Sequence, residues 1–261
     1  MGQAGTHGFG DLFKSWREAR RMSQLALAMD AEISQKHLSF IESGRAQPSR
    51  EMVLRLAEHL EIPLRERNAL LLAAGFAPLY LEVDLGEPAL AMARRAMDIV
   101  LKGHEPYPAL AVDRHWTLLA ANAAVMPLVA DCAPSLLAPP VNVVRLSLHP
   151  EGLSRRIRNL GEWRSHTLER LRRQHRTTRD PVIDGLIGDI LAWHGRDEPR
   201  PGLGAFDVVV PLELDSGKGP LSLFGTTTVF GTAAEVTLSE LTIEAFYPAD
   251  AATAERLAAK D

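Results

Sequence analysis

The sequence predicts an α+β protein in two parts, a helical head followed by a body in which helices and strands are mixed. The first 78 residues show helical periodicity with sharp breaks and no strand pattern, which predicts five short helices. The later residues contain β-rich runs between apolar helices, which predict an antiparallel sheet of about five strands with flanking helices. A length of 261 residues suits one large domain or two modest ones.

Local start and stop signals define the five helices of the head. The first helix has an apolar face that contains Phe13 and Trp16. Small polar residues are the preferred N-caps. Three of the helices follow such residues, at Ser23, Ser34 and Ser49. Gly44 ends the third helix, and Pro63 begins the fifth, which ends near Gly75.

The body alternates between helices and short strands. Its predicted elements are a helix at 89–102, strands at 109–112 and 117–121, a helix capped by Asn122 that runs to Val129, two helices within 153–194, and strands at 206–214, 221–232 and 236–246. Asp180-Pro181 separates the two long helices, because proline disfavours a helical residue before it. Residues 215–219, Asp-Ser-Gly-Lys-Gly, are typical of a hairpin turn.

Composition excludes several classes of protein. The charges nearly balance, with 29 Lys and Arg against 33 Asp and Glu, which excludes a uniformly basic nucleic-acid coat protein. The single cysteine, Cys132, excludes an intramolecular disulfide and a multi-cysteine metal site, and it favours a reducing compartment. No apolar run reaches the ~18 residues of a membrane span. We therefore expect a cytoplasmic protein with no membrane partner.

The second and third helices of the head have the pattern of a DNA-reading unit. Two short helices joined by a turn of three to four residues place the N-terminal part of the second helix at the surface, where it can enter a major groove. Gln pairs with adenine edges and Lys with guanine or phosphate, while arginines beyond the helix suit backbone contact. The predicted DNA-contacting residues are Gln24, Ser34, Gln35, Lys36, His37, Ser39, Phe40, Arg45 and Arg50.

At these residues the sequence resembles the Xre-type, phage-repressor-like helix-turn-helix regulators. The resemblance covers about residues 9–76, within a predicted DNA-binding domain at 9–78, and includes the Ser23-Gln24 pair and the Ile-Glu-x-Gly end of the third helix. It implies a partly buried structural ion pair between Arg17 and Glu42. One departure is Glu32, where many members have glycine in a left-handed turn.

The body contains no sequence signal for catalysis. It has no nucleophile elbow, zinc-protease motif or Gly-rich phosphate loop, and its histidines are scattered. We therefore expect a protein that is not an enzyme and needs no cofactor. An esterase tethered to DNA is a remote alternative.

Residues 111–123, Ala-Val-Asp-Arg-His-Trp-Thr-Leu-Leu-Ala-Ala-Asn-Ala, resemble the opening of a PAS-type sensor domain. With His104-Glu-Pro-Tyr-Pro-Ala, Leu148-His-Pro-Glu-Gly-Leu and the stretch from Phe230 to Asp250, they are similar to the MmyB-like regulators. This resemblance implies a linker helix at 79–103 and a PAS-like ligand-binding domain at 104–258. It also implies a homodimeric transcription factor that binds a double-stranded DNA operator and a non-covalent, apolar or fatty-acid-like effector.

Several body residues are candidates for lining a ligand cavity, although aromatic residues at such spacing are more often plain core. The apolar candidates are Trp116, Leu118, Met126, Trp163, Leu223, Phe224 and Phe230, and the polar candidates for a carboxylate or carbonyl are Asn122, Arg158 and Asn159. The alternative is a body that serves only to dimerise the regulator.

The stretch 155–179 contains nine arginines and two acidic residues, whereas 180–261 carries 5 basic and 14 acidic residues. The arginines are either a second DNA-contacting surface or a helix that faces acidic residues of the same fold. We favour the second interpretation, because charge runs are usually solvated or complemented within the fold.

Overall fold

A computed structural model describes residues 8–194, 210–230 and 235–259. The chain divides into two compact units, a head that extends to Glu82 and a body that holds nearly all of the remaining residues. Both predicted parts and the α+β class are confirmed. As far as the structure describes it, no helix of the chain is long and apolar enough to cross a membrane.

The head consists of five helices around one apolar core. They are α1 (Phe9–Ala19), α2 (Gln24–Asp30), α3 (Gln35–Glu42), α4 (Arg50–His59) and α5 (Leu64–Ala73). Each helix buries one face, and the centre of the core is formed by Phe13, Leu27, Leu38, Leu56 and Leu70, all with no exposed surface. Burying a leucine or phenylalanine side chain contributes ~1.5–3 kcal/mol, so these helices are stable by mutual packing.

The predicted serine caps are present at three of these helices. The hydroxyl oxygens of Ser23, Ser34 and Ser49 accept hydrogen bonds from the N–H groups three residues later, at 3.0, 3.1 and 3.2 Å. Such a cap contributes ~1 kcal/mol by satisfying a backbone donor that the helix leaves open. Gly44 follows α3 with φ +71°, a left-handed conformation that ends the helix at the predicted residue.

The body combines helices with one antiparallel sheet. The helices are α6 (Ala91–Gly103), α7 (Met126–Val129), α8 (Pro134–Leu137), α9 (Val143–Leu148), α10 (Leu160–Thr178), α11 (Pro181–His194), α12 (Val236–Glu240) and α13 (Ala251–Ala258). The strands are β1 (Ala109–Val112), β2 (Leu118–Ala121), β3 (Leu212–Ser216), β4 (Gly219–Val229) and β5 (Thr242–Pro248). Among the described residues these five strands form one sheet, in the order β2-β1-β5-β4-β3.

The two faces of the sheet pack against different helices. On one face, Ala111, Ile243 and Ala245 contact Met97 and Leu101 of α6. Helix α6 lies within the segment predicted as a linker, and here it covers the sheet of the body. On the other face, Leu214 and Leu223 contact Trp163 of α10. We call the face toward α10 the inner face of the sheet.

Three local predictions differ from the structure. The run 236–246 is not one strand, because its first residues form helix α12 and β5 begins only at Thr242. The Thr237 hydroxyl in α12 donates to the Val83 carbonyl at 2.6 Å. The strand predicted at 206–214 begins at Leu212 within the described residues, while 206–209 lie outside them. The side chain of Asn122 does not cap a helix, because it bonds the backbone of neighbouring segments.

Candidate functional site

An almost fully buried ion pair fixes α3 against α1. Arg17 donates two hydrogen bonds to the Glu42 carboxylate, at 2.6 and 2.8 Å, and a third to the Met22 carbonyl at 2.7 Å. Arg17 is 7% exposed and Glu42 is 6% exposed. The hydrogen bond to Glu42 raises the pKa of the Arg17 guanidinium above its ordinary value. Because Glu42 lies at the end of α3, this contact sets the position of that helix.

The Gln24 side chain also takes part in this arrangement. Its amide donates to Glu42 at 2.8 Å, although the residue was predicted to contact DNA. The structure therefore places this side chain against the ion pair. The start of α2 still presents backbone N–H groups, which are the usual partners of a phosphate at a helix N-terminus.

The N-terminal part of α3 presents polar side chains to solvent. Gln35 and Lys36 are exposed, whereas His37, Ser39 and Phe40 are half-buried. The hydroxyl of Ser34 accepts from the N–H of His37, so Ser34 acts as the cap of the helix. An exposed glutamine and lysine at the start of such a helix can reach base edges in a major groove.

Two cations lie against the ring of Phe40. The ammonium nitrogen of Lys36 is 5.6 Å from the ring centroid, and the guanidinium carbon of Arg45 is 5.9 Å from it. These are cation–π distances, so the ring restrains Lys36 from the first turn of α3 and Arg45 just beyond its end. Arg50 is exposed at the start of α4. Within the head, the three basic residues are thus placed for contact with a polyanion.

The turn before α3 has the left-handed conformation that many members of the family achieve with glycine, although Glu32 stands at this position. Glu32 has φ +55°, a left-handed backbone that costs a non-glycine residue ~1–2 kcal/mol. The turn geometry is kept in spite of this residue, because α2 and α3 remain capped and packed on both sides of it.

A cavity of about 400 Å³ lies in the body between the inner face of the sheet and α10. Its size is within the ~300–1,000 Å³ typical of ligand sites. The strands contribute apolar side chains to it, among them Leu110, Leu118, Leu212, Leu214, Leu223 and Phe246. Val125, Val129 and Val144 close it from the smaller helical segments. Most of the lining is therefore apolar.

One face of α10 supplies much of the polar part of the lining. The residues concerned are Trp163, His166, Thr167, Arg170 and Arg173, which repeat at the three- and four-residue spacing of a helix face. The Trp163 indole donates to the hydroxyl of Ser147 at 2.9 Å, and the His166 ring stacks on it with centroids 5.8 Å apart. Partial desolvation, with the positive charges of Arg170 and Arg173, lowers the pKa of His166, although much of its side chain is exposed to solvent.

Arg170 is held in a charged network at the polar end of the cavity. It donates to both carboxylate oxygens of Glu244, at 2.9 and 2.5 Å, and to the hydroxyl of Thr227 at 2.9 Å. Its guanidinium carbon lies 4.5 Å from the ring of Trp116. The Glu244 side chain is only 7% exposed, and Arg170 supplies the opposite charge that a buried carboxylate needs.

Trp116 joins the cavity wall to the turn between β1 and β2. Its backbone has φ +66°, an uncommon conformation for a bulky residue that costs of order 1–3 kcal/mol. Its indole N–H donates to Gln174 of α10 at 2.9 Å, and the Gln174 amide donates to the Arg114 carbonyl at 2.6 Å. These bonds compensate the unfavourable backbone and fix the ring against the cavity.

The structure brings only some of the predicted ligand residues to the cavity. Trp116, Leu118, Trp163 and Leu223 line it. The predicted residues outside the lining are Asn122, Met126, Arg158, Asn159, Phe224 and Phe230.

The polar candidates have structural partners elsewhere. The Asn122 side chain accepts from the Ala109 N–H and donates to the carbonyls of Leu101 and Tyr107. Asn159 donates to the Pro211 carbonyl, and Arg158 is an exposed residue 3.8 Å from Asp215.

The three remaining candidates also lie away from the cavity. Met126 is 63% exposed, and Phe224 stacks on Tyr247 with ring centroids 5.3 Å apart. Phe230 packs against the cluster that includes Met97 and Leu101 of α6. Whether such a residue reaches the cavity depends on the side of its strand or helix on which it lies, and composition does not reveal that side.

The sequence patterns do not predict Arg170, Glu244 and Thr227 as cavity residues. One signal was present: Glu244 interrupts the otherwise apolar or aromatic run Ile243–Phe246, and a carboxylate in a central strand requires a partner.

Several arginines of the stretch 155–179 have acidic partners within the body. Arg170 pairs with Glu244, Arg158 lies near Asp215, and Arg156 lies 3.3 Å from Asp131. Two of these partners belong to the acidic segment 180–261, as expected if the arginines are complemented within the fold.

In the described ranges, no group of three or more His, Cys, Asp or Glu side chains is placed to hold a metal ion. Burial raises the pKa of the Cys132 thiol, which opposes its activation as a nucleophile.

Family models match both parts of the chain. The model of the MmyB-like transcription regulator ligand binding domain matches residues 93–259, and a helix-turn-helix domain model matches residues 9–70. A comparison with curated proteins gave no match. The two domains are those of a transcription regulator, which points away from an enzyme.

Proposed function

Since this chain belongs to the MmyB-like family of transcription regulators and is a DNA-binding regulator with a ligand-binding domain, we propose how each domain works. The head binds a double-stranded DNA operator through α3. The body senses a small molecule with a long apolar, fatty-acid-like part. The regulator acts as a homodimer.

The cavity is the observation that carries the sensing function. It has the volume of a ligand site, an apolar lining to which all five strands contribute and a polar end built around Arg170. A body used only for dimerisation has no need of such a cavity, because an unfilled apolar space costs packing energy. The cavity therefore favours a ligand that replaces the missing contacts.

Filling the cavity should abolish binding. Gly225 lines it on β4, opposite Phe246, and a Cβ added there would lie 3.6 Å from the Phe246 ring, an ordinary contact. We expect native mass spectrometry of gently purified wild type to show a stoichiometric apolar adduct that Gly225→Val lacks. Thr228→Val is the matched control, since it lies on the same strand with its side chain on the other face. A wild-type protein that is always empty would support the alternative, a body that only dimerises.

The DNA-binding proposal rests on the exposed start of α3. Gln35→Ala combined with Lys36→Ala removes its two exposed polar side chains. We expect the double variant to lose specific gel-shift binding to the promoter region of its own gene, by about 10-fold or more, because each good base contact contributes ~1–3 kcal/mol. Lys14→Ala, which removes one exposed positive charge from α1, is the control and should keep specific binding. Unchanged binding by the double variant would refute this use of α3.

A further inference from the structure

We propose that the cavity selects a ligand whose polar end is an uncharged hydrogen-bonding group, such as an alcohol or an amide, and discriminates against the matching carboxylate. This inference rests on the proposed sensing function, because it names the head-group chemistry of that ligand. The apolar part of the ligand occupies the space between the strands and α10, and its head lies at the Arg170–Glu244 network.

The positive charge of Arg170 is already neutralised inside the protein. Both of its terminal nitrogens donate to Glu244, one of them also donates to Thr227, and the guanidinium lies over the Trp116 ring. A ligand carboxylate could bind Arg170 only by displacing the Glu244 carboxylate. Glu244 would then be a buried charge without its partner, which is a strongly unfavourable state.

The remaining charges at the cavity give no excess positive field. The described lining contains two arginines and two glutamates. Arg170 pairs with Glu244, and Arg173 lies about one helical turn from Glu169 on α10. Desolvation and the neighbouring arginines lower the pKa of His166, which favours its uncharged form. A carboxylate that leaves water for this cavity therefore gains no net electrostatic compensation.

A neutral head, in contrast, meets suitable partners. Carboxylate oxygens accept several hydrogen bonds, so Glu244 can accept one from an alcohol or amide while it keeps Arg170. The Thr227 hydroxyl, which lies 3.3 Å from the nearer Glu244 oxygen, borders the same space. An ionised carboxylate has no hydrogen to donate to Glu244 and is repelled by it.

The test compares three probes of equal chain length, decan-1-ol, decanamide and decanoate, by calorimetric titration of the full-length protein near neutral pH. We expect the wild type to bind the alcohol and the amide about 10-fold or more tightly than decanoate. Glu244→Gln keeps the shape and removes the negative charge. It should raise the affinity for decanoate by about 10-fold and so reduce the preference for decan-1-ol over decanoate.

Glu240→Gln is the matched control, because Glu240 lies 3.7 Å from Arg114 and does not line the cavity. It should keep the wild-type order of affinities. Circular dichroism checks that both variants fold, and the wild-type order alone decides the question if Glu244→Gln does not.

The outcomes separate the two proposals. A wild type that binds decanoate as tightly as decan-1-ol, or an unchanged order in folded Glu244→Gln, overturns the head-group inference and leaves the sensing function in place. Failure of all three probes to bind, together with an empty protein in native mass spectrometry, overturns the sensing function and the inference with it.

Discussion

The Arg17–Glu42 ion pair shows how strongly single residues determine the head. Its two side chains are almost fully buried and bond each other through two hydrogen bonds. Removing one partner leaves the other charged group buried, which costs ~3–5 kcal/mol. We therefore expect Glu42→Ala to lower the free energy of unfolding of the head by this amount, measured by urea titration of the full chain.

The control for that experiment is an exposed pair in the same unit. Arg55 and Glu51 are one helical turn apart on α4, at 3.4 Å, and the Glu51 side chain is 84% exposed. Exposed pairs contribute ~0–1 kcal/mol. Equal effects of Glu51→Ala and Glu42→Ala would contradict the structural role of the buried pair.

Asp180 gives the body a stability that depends on pH. Burial works to raise its pKa, but the Val182 N–H, His115 and Arg114 outweigh this, so the pKa lies below its ordinary value of 3.8. A carboxyl group with a lowered pKa in the folded state stabilises it above the ordinary pKa, and this contribution is lost as the pH falls through the folded value.

We therefore expect the melting temperature of the wild type to fall more steeply than that of Asp180→Asn as the pH is lowered from about 5 to about 3. Asp189→Asn, which removes a more exposed pair with Arg145, should keep the wild-type slope. Parallel melting curves for wild type and Asp180→Asn over this range would show that the network around Asp180 does not stabilise the fold.

Residue-scale predictions succeeded where the physics is local. Ser23 and Ser34 cap helices because a cap involves only the next three residues. In contrast, the sequence predicts Asn122 and Asn159 as ligand contacts, whereas their side chains bond backbone groups 13–54 residues away. Such partners depend on the tertiary fold and carry no local signal.

At the scale of elements, α1 and α3 approach each other at Gly10. A Cβ at this position would lie 2.4 Å from the Glu42 carbonyl oxygen and 2.8 Å from the Ile41 carbonyl oxygen. Backbone atoms cannot move aside as a side chain can, so Gly10→Ala must push α1 away from α3. We expect a loss of ~1–3 kcal/mol in stability and weaker operator binding.

Thermal melting and gel shifts of the same preparations check this prediction. Gly8→Ala is the control, since its new Cβ would meet nothing within 4 Å, and its effect should stay below about 1 kcal/mol. A Gly10→Ala protein as stable as the control would mean that the two helices can separate without cost.

The elements of the head were more predictable than those of the body. Helices α2 to α4 are bounded by caps and stop signals that the chain itself displays. Residues 236–240 alternate like a strand but form α12, because tertiary contacts override a weak local preference. The cavity depends on α10 meeting β5, and Arg170 and Glu244 are 74 residues apart in sequence.

At the scale of the whole molecule, opposed charges leave the head almost neutral, with 10 basic and 9 acidic residues over 1–78. Since phosphate attraction supplies much of DNA affinity, one head alone should bind poorly. We therefore expect two copies of the chain to bind each operator, with gel-shift curves steeper than single-site binding where the copies associate on the DNA. A single-site curve together with a monomer in sedimentation would refute the proposed homodimer.

Salt dependence measures the phosphate contacts of the same complex. Replacing Arg45 and Arg50 by alanine should reduce the slope of log K against log salt by about 2 per head. Gln35→Ala changes no charge, so it should weaken specific binding and leave the slope unchanged. An unchanged slope in the arginine variant would place these arginines away from the DNA backbone.

Trp116 and Trp163 have a practical consequence beyond their packing. The chain contains four tryptophans, and these two indoles line the cavity while Trp16 lies in the core of the head. Indole emission responds to the polarity around the ring, and here one ring also lies beneath the Arg170 guanidinium. A ligand bound in the cavity should therefore change the intrinsic fluorescence, which would permit equilibrium titrations and stopped-flow measurements without a label.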